Sequence, residues 1–379
     1  MKILHVLTTL DLAGAESNVL TQTGLQTKRG HDVRVAYLKG NGGLTEDFLK
    51  AGASWVGCIG MGPGTLFKLA PRIRWADIVH SHLLKADMLT AVCATLSGRR
   101  KHLVSGKHSD EQQLKSSKVA FVHGILGNLS ARTIVLSDHV GRYMQETGRL
   151  RPEKIRRVYY GVDPTPFDEA RARPREEHLK LRESFGLAPD DVVFTCVARF
   201  HKPKAHDVLL RAFRLALDAK PESTPPLRLL LVGNDPYGDG QEKNEALAAE
   251  LKLGDAVHFA GLRRDVPNVL AASDALVQAA LWEGLGLVYL EAMCASLPVL
   301  TSRVSAIPEV VLEGETGLLV PPSDDQALCD GMLKLAGDAD LRRRLGAAGR
   351  ERIPAVFDLD RMADETIAVY NEVLGRRAG

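Results

Sequence analysis

The sequence predicts an α/β protein built from two doubly wound, parallel-sheet domains in tandem. A chain of 379 residues is too long for one core at about 150 residues per domain. Short β-rich runs alternate with amphipathic segments, the pattern of strands joined by crossover helices. That alternation breaks at 164–189 and then starts again, which places a boundary in mid-chain.

The run ILHVLTT at 3–9 is the first strand. A helix follows over 16–29, stopped by Gly30, and the strand VRVAYL at 33–38 completes a βαβ opening. Strands at 77–80, 102–105 and 133–136, each followed by helical periodicity, extend a parallel sheet covered on both faces. The stretch 164–189 has four prolines and dense charge and reads as a linker with a charged helix. The rhythm resumes with VVFTCVA at 192–198, a helix over 204–218, RLLLVG at 228–233, VHFAG at 257–261, ALVQAA at 275–280, a helix over 287–295 and PVLTS at 298–302. The final segment, 359–379, carries Met362, Ile367, Val369, Tyr370 and Val373 on one helical face, ready to pack back onto the body. The expected domains are therefore 1–163 together with 359–379, a linker at 164–189, and 190–358. Ligands of such sheets bind outside the carboxyl ends of the strands, so the chemistry is expected in a cleft where the two sets of strand ends face each other.

Composition narrows the function. Hydrophobic residues at 45% and charged residues at 25% are globular values that exclude disorder, collagen and coiled coil as the main theme. The longest apolar stretches, such as 275–282, fall far short of the roughly 18 residues of a membrane span. The start, MKILHVLTTLD, lacks a small-residue cleavage site and reads as a strand rather than a signal peptide, so a cytoplasmic protein is expected. Cys58, Cys93, Cys196, Cys294 and Cys329 are widely spaced and odd in number, which favours reduced thiols over disulfides or zinc.

The net charge of +2 hides an asymmetry. Residues 1–162 hold 23 Lys and Arg against 12 Asp and Glu, whereas 163–379 hold 26 against 35. The basic half, with clusters at 99–101 and 149–157, suits an anionic partner such as a phosphate or a bilayer surface, although a solvated face has the same composition. Aromatic residues at 5%, few of them near those clusters, argue against nucleic acid.

The glycine-bearing turns sort the ligands. GNDPYG at 233–238 is followed by Asp239 where a phosphate-binding loop needs lysine. The turn DLAGAE at 11–16 lacks a dinucleotide fingerprint, but Gly14 lets backbone approach a ligand at a helix start. WEGLGLVYLE at 282–291 lies between a strand and a helix. There Gly284 and Gly286 leave amides open at the positive end of the helix dipole, and Glu283 and Glu291 are carboxylates suited to sugar and ribose hydroxyls. A capping glutamate and a surface glutamate would look the same in isolation. Arg199 and Lys204, in RFHKPK at 199–204, suit a diphosphate and the charge on a departing nucleotide, or else form a solvated basic turn. In the first half, His80, His82 and His108 follow strands and could donate to hydroxyls or trade protons, and Asp110 could tune a neighbour. Two histidines two residues apart, without a third partner, do not specify a metal site, and no DxD pair stands by the diphosphate turn.

These residues resemble the GT4 family of retaining, nucleotide-sugar-dependent glycosyltransferases with the GT-B fold. The likeness runs through AGAE at 13–16, YGVD at 160–163, ARFHKPKAHDVLL at 198–210, EGLGLVYLEAMCASLPV at 283–299, IPEVV at 307–311 and TGLLVPP at 316–322. The resemblance implies a donor site of Gly14, Arg199, Lys204, Gly233, Glu283, Gly286, Leu287, Val288 and Glu291. Glu291 would hold the ribose, Arg199 and Lys204 the diphosphate, and Glu283 with the amides of 286–288 the donor sugar. Gly14 would lie under the diphosphate, and His108 would contact the transferred sugar. It further implies front-face transfer with retention, catalysis by His108, Glu283, Arg199 and Lys204 without a metal or other cofactor, and a C-terminal helix that crosses back to the first domain.

A UDP- or GDP-sugar is the expected donor and a saccharide or lipid-linked molecule the expected acceptor, in polysaccharide, lipopolysaccharide or glycolipid synthesis at the inner face of the cytoplasmic membrane. A non-catalytic nucleotide-sugar binding module and a UDP-N-acetylglucosamine 2-epimerase type of enzyme are the alternatives. The chain departs from the family pattern at Ala205, Ser296 and the pair Ser305-Ala306, which stand where glycines are usual, and at Tyr160, which replaces a common asparagine.

Overall fold

Strands that are apolar on both faces must be covered on both, which parallel pairing with crossover helices achieves. The computed structural model describes residues 1–376 apart from Leu12, Pro63, Pro236 and Tyr237. The chain divides into two compact units, Met1–Gly161 with Leu359–Gly379, and Val162–Asp358.

The first unit holds seven strands, β1 (Lys2–Leu7), β2 (Asp32–Tyr37), β3 (Trp55–Cys58), β4 (Ile78–His82), β5 (Leu103–Lys107), β6 (Arg132–Val135) and β7 (Ile155–Arg157). All pair in parallel in the order β3-β2-β1-β4-β5-β6-β7. The second unit holds β8 (Val192–Val197), β9 (Leu227–Val232), β10 (Val257–Gly261), β11 (Ala275–Gln278), β12 (Val299–Ser302) and β13 (Gly317–Val320). These are also parallel, in the order β10-β9-β8-β11-β12-β13. The strand order therefore reverses between β1 and β4 in one unit and between β8 and β11 in the other, the switch points where ligands of doubly wound sheets bind. The strands that sequence pattern does not single out, β3, β7 and β13, are short and lie at sheet edges, where pattern is weakest.

The segment 164–189 is not a linker. It forms helices Thr165–Arg171 and Arg175–Ser184 within the second unit. Pro164, Pro166 and Pro174 stand at the helix starts, where a missing N–H costs nothing. Phe167 and Ala170 are buried, and Phe185 and Leu187 share a core with Val193, Leu230 and Val269. Arg182 clamps the segment by donating to the carbonyls of Pro189 and Ala272 and pairing with Asp274 at 2.7 Å.

Helix Leu359–Val373 packs on the first unit through Met362, Val369 and Tyr370, with Ile367 and Val373 half-buried. Residues 377–379 of the expected segment lie outside the described residues. Asn18 donates to Met362 Sδ over 3.3 Å, and Arg132 and Arg156 both hold Glu372, pulling its carboxyl down to about 2. Against this helix the segment Gly14–Lys28 turns a polar face, with Asn18, Gln22 and Gln26 all buried. Hydrophobic periodicity cannot announce such a face.

Ala205, Ser296 and Ser305 adopt left-handed backbone with φ of 43°, 56° and 47°. These are positions where the family pattern has glycine, so the conformation is kept and the side chain carries the strain. Ala205→Gly is expected to raise stability by about 1 kcal/mol and the melting temperature by about 2–4 °C. Ser296→Gly should gain less, because Arg171 donates to the Ser296 hydroxyl at 2.7 Å. Calorimetry that found Ala205→Gly unchanged or less stable would refute the strain argument.

Candidate functional site

In the second unit the candidate residues collect at the carboxyl ends of β8 and β11, on either side of the switch point. Arg199 follows β8; it is exposed, and no described residue hydrogen-bonds or ion-pairs with its guanidinium. A short turn, Lys202–Lys204, leads through left-handed Ala205 into helix His206–Ala219. After β11, the Leu281 amide donates to the Pro203 carbonyl over 2.8 Å, which joins the two loops. The Lys204 ammonium then meets the Glu283 carboxylate in an ion pair whose side chains remain 20% and 18% exposed.

Gly286 begins helix Leu287–Cys294 with φ of 85°. A Cβ there would fall 2.3 Å from the Tyr289 ring, so the turn admits only glycine. No side chain caps this helix, and the amides of 286–288 have no acceptor among the described residues. Glu291 lies one turn further on and is half-buried. Nothing among the described residues bonds to its carboxylate, and burial alone pushes that carboxyl up to about 7. The result is an acceptor, three open donors and a free cation around one pair of strand ends, an arrangement suited to a polyhydroxylated anion. Gly233 is buried at the end of β9 against the Ala198 carbonyl, where it supports the loop that carries Arg199. Positions 236 and 237 of the same turn lie outside the described residues.

The other two residues, Gly14 and His108, belong to the first unit. Gly14 is the exposed first residue of its helix, which has no side-chain cap; position 12 of its turn lies outside the described residues. His108 follows β5, and both of its ring nitrogens are engaged. Nδ1 bonds to the Tyr160 hydroxyl and Nε2 lies 2.9 Å from His82 Nδ1. Burial, helped by the Lys107 charge, pushes its pKa down to about 3, so the ring is neutral. Contact with a sugar through the His108 ring therefore requires release of Tyr160 or His82. Tyr160, to which sequence reasoning gave no role, is thus a direct partner of His108; its hydroxyl is a signal that the sequence carries but position alone does not decode.

Asp110 pairs with His139 at 2.9 Å, and Lys107 is buried against Asp87 at 2.5 Å and His123 at 3.0 Å. The basic stretch at 149–157 is partly spent inside the unit. Lys154 donates to the Asn128 and Ser130 carbonyls, Arg156 holds Glu372 and Arg157 pairs with Asp138, while Arg149 and Arg151 stay exposed. All five cysteines are free, and four of them are buried.

His206, at the start of the helix behind the Arg199 loop, is buried against Phe200. Burial, and the nearby Lys204, push its pKa down to about 4 from 6.5. The unfolded chain binds that proton first, so His206 removes stability as pH falls from about 6.5 towards 4, by up to ~1.4 kcal/mol per pH unit. Glu291, with its folded pKa raised to about 7, works in the opposite sense and removes stability as pH rises through 4.5 to 7. The informative quantity is a difference: His206→Gln should lose less melting temperature than wild type between pH 7 and pH 5. Equal losses would show that His206 is not buried neutral.

Two family models match the chain, "Glycosyltransferase Family 4" over residues 12–165 and "Glycosyl transferases group 1" over residues 178–352. The D-inositol 3-phosphate glycosyltransferase of Stackebrandtia nassauensis is 35% identical over 235 residues, 61% of this chain and 51% of that protein, so the match spans about half that relative's length. The enzyme of the same name from Actinosynnema mirum is 30% identical over 319 residues, 78% of this chain and 72% of that protein. The N-acetyl-alpha-D-glucosaminyl L-malate synthase of Bacillus anthracis is 29% identical over 310 residues, 79% of this chain and 75% of that protein. Among solved structures, Anabaena HepE in complex with UDP-glucose superposes with a TM-score of 0.87 at 21% identity, covering 98% of this chain and all of that one. The GT-B fold read from the sequence is thereby established, and this chain belongs to the GT4 glycosyltransferases.

Proposed function

We propose that the chain transfers a sugar, with retention of anomeric configuration, from a UDP- or GDP-sugar to a hydroxyl of an anionic acceptor. The observation that carries this is the set of groups at the ends of β8 and β11 left unsatisfied among the described residues: Arg199 without an anionic partner, open amides at 286–288, and the partnerless Glu291 carboxyl. Glu291 accepts from the two ribose hydroxyls. Arg199 and Lys204 bind the diphosphate, and their two positive charges offset the charge that grows on it, so the reaction needs no divalent metal. Glu283 and the amides of 286–288 hold the donor sugar, with Gly233 supporting the Arg199 loop. From the first unit, Gly14 approaches the diphosphate and His108 the transferred sugar.

In the transfer step the bond from the anomeric carbon to the phosphate oxygen breaks, and the acceptor oxygen bonds to the same face of that carbon. The acceptor proton passes to the departing phosphate. A polar environment fixed before reaction does the catalytic work, because the donors and charges already stand where negative charge develops.

Relatives named for inositol 3-phosphate and for L-malate support an anionic, hydroxyl-bearing small acceptor over the polysaccharide, lipopolysaccharide or glycolipid read from the sequence. The positive balance of residues 1–162 agrees with such a substrate. One surface feature supports a peripheral position on the inner face of the membrane: helix Ser117–Gly127 exposes Phe121, Val122 and Ile125 near Lys115 and Lys118. Among the described residues no helix is long and apolar enough to cross a membrane.

Calorimetric titration with UDP and GDP should show binding of one of them, weakened at least tenfold in Glu291→Gln. Because the ribose hydroxyls donate to the ionised carboxylate, wild-type affinity should fall as pH drops below about 7, and the variant should lose that part of the dependence. No binding of either nucleotide would sink the donor site. Product analysis with donor and acceptor then separates the readings: nucleotide release with a glycosylated acceptor supports transfer, nucleotide binding without turnover indicates a binding module, and sugar interconversion an epimerase. For the bilayer, wild type should sediment with phosphatidylglycerol vesicles at low salt, and Phe121→Ser with Ile125→Ser should abolish this. Sedimentation that ignored both salt and the substitutions would refute the assignment to this helix.

A further inference from the structure

The pairing of β1 with β4 sets His5 beside His80, and His82 lies two residues further along β4, so three imidazoles share one face of two neighbouring strands. All three are buried, and one ring nitrogen of each lies within 4.8 Å of those of the other two. Each ring is held from outside by its remaining nitrogen. His5 Nε2 lies 2.9 Å from Gln26 Oε1, His80 Nδ1 lies 2.7 Å from the Tyr370 hydroxyl, and His82 Nδ1 lies 2.9 Å from His108 Nε2. Three nitrogens are left over: His5 Nδ1, His82 Nε2 and His80 Nε2. The first two stand 2.9 Å apart, and His80 Nε2 is buried with no hydrogen-bond partner among the described residues.

That is the arrangement of a metal centre, in which outer hydrogen bonds fix each histidine through the nitrogen that does not ligate. One set of tautomers satisfies every outer bond, with His5 Nε2, His80 Nδ1 and His82 Nδ1 each carrying the proton, and leaves lone pairs on all three remaining nitrogens. Without a cation, two of those lone pairs would oppose each other between His5 and His82, and one ring must change tautomer. The space is kept open by Gly106, paired with His82 across β5. A Cβ at that position would fall 2.8 Å from His82 Nδ1 and 2.9 Å from His80 Nε2. Beside it lies a small cavity of about 10 Å³, lined by His80, Gly106, His108 and Tyr160, about the room of one water molecule.

We propose that His5, His80 and His82 bind one divalent cation of the Zn²⁺ and Co²⁺ class, with water completing the coordination. Three imidazoles suit a borderline cation and not Mg²⁺ or Ca²⁺, which take oxygen ligands. The site lies within the first unit and uses none of the donor-binding residues of the second; its outer partner His108 is the residue proposed to meet the transferred sugar. Its outer partner Tyr370 belongs to the C-terminal helix, so the ion would fasten that helix to the first sheet.

The test is titration of the metal-stripped full chain with Co²⁺, followed by visible absorption, with Zn²⁺ displacement as the second arm. The expected result is an intense tetrahedral ligand-field band that saturates at one equivalent, is removed by Zn²⁺, and is accompanied by a rise in melting temperature. His80→Gln should abolish the band, Tyr370→Phe should weaken binding by about 10–100-fold, and His178→Gln on the second unit should leave it unchanged. Wild type that gives no tetrahedral band at one equivalent overturns the proposal without reference to any variant. So does a band that survives in folded His80→Gln. Nucleotide binding measured in the same samples tests the donor site separately, so failure of one reading does not imply failure of the other.

Discussion

Parallel pairing is the constraint on which this protein depends. Within each sheet every strand runs the same way, so every crossover must return to the same edge of that sheet, and the loops leaving its carboxyl ends gather there with the amino ends of the following helices. The strand order reverses between β8 and β11, so the loops behind these two strands depart to opposite faces and leave a gap. The Arg199 loop and the Glu283 loop flank that gap. The backbone bond from Leu281 to Pro203 and the ion pair from Lys204 to Glu283 keep them in register. Pairing direction thus converts a sequence separation of about eighty residues into a single pocket of charge.

Much of this was legible because it rests on local rules. The strands β8, β9 and β11 are short, mostly apolar runs, and the turns after β8 and β11 carry the residue types that an anion and a diol require. Glu283 and Glu291 stood out through their glycine-rich setting, and the family likeness fixed the reaction class. What the sequence hid was nonlocal. Pro164, Pro166 and Pro174 looked like chain breakers and proved to be helix starters, because proline chemistry differs between the first turn of a helix and its interior. His5 gave no sign of belonging with His80, since only the register of β1 on β4 brings them together. Tyr160 read as a neutral replacement until its hydroxyl was found on His108.

The first unit also departs from the usual apolar interior. His5, His80, His82, Gln22 and Gln26 all lie inside it, and Tyr370 arrives from the far end of the chain to complete their bonding. A buried polar network specifies one arrangement more sharply than apolar contact does, because a slipped register leaves donors and acceptors unmatched at a cost of about 1–3 kcal/mol each. The C-terminal helix is therefore selected by hydrogen-bond matching as well as by Met362 and Val369, and its ion pairs at Arg29 and Glu372 add only what exposed pairs can.

The ion pair between Lys204 and Glu283 has one more consequence. The two charges answer each other, so under the proposed donor assignment a diphosphate would not meet an unengaged lysine but would compete with a resident carboxylate. Binding becomes an exchange of one counter-anion for another. Dissolved salt would weaken the old partnership and the new one together, so the lysine would contribute little to the ionic-strength dependence of the proposed donor binding, and Arg199, which has no resident partner among the described residues, would contribute most of it. Such a site would hold its affinity for a charged substrate across a range of salt in which two unengaged cations would lose theirs.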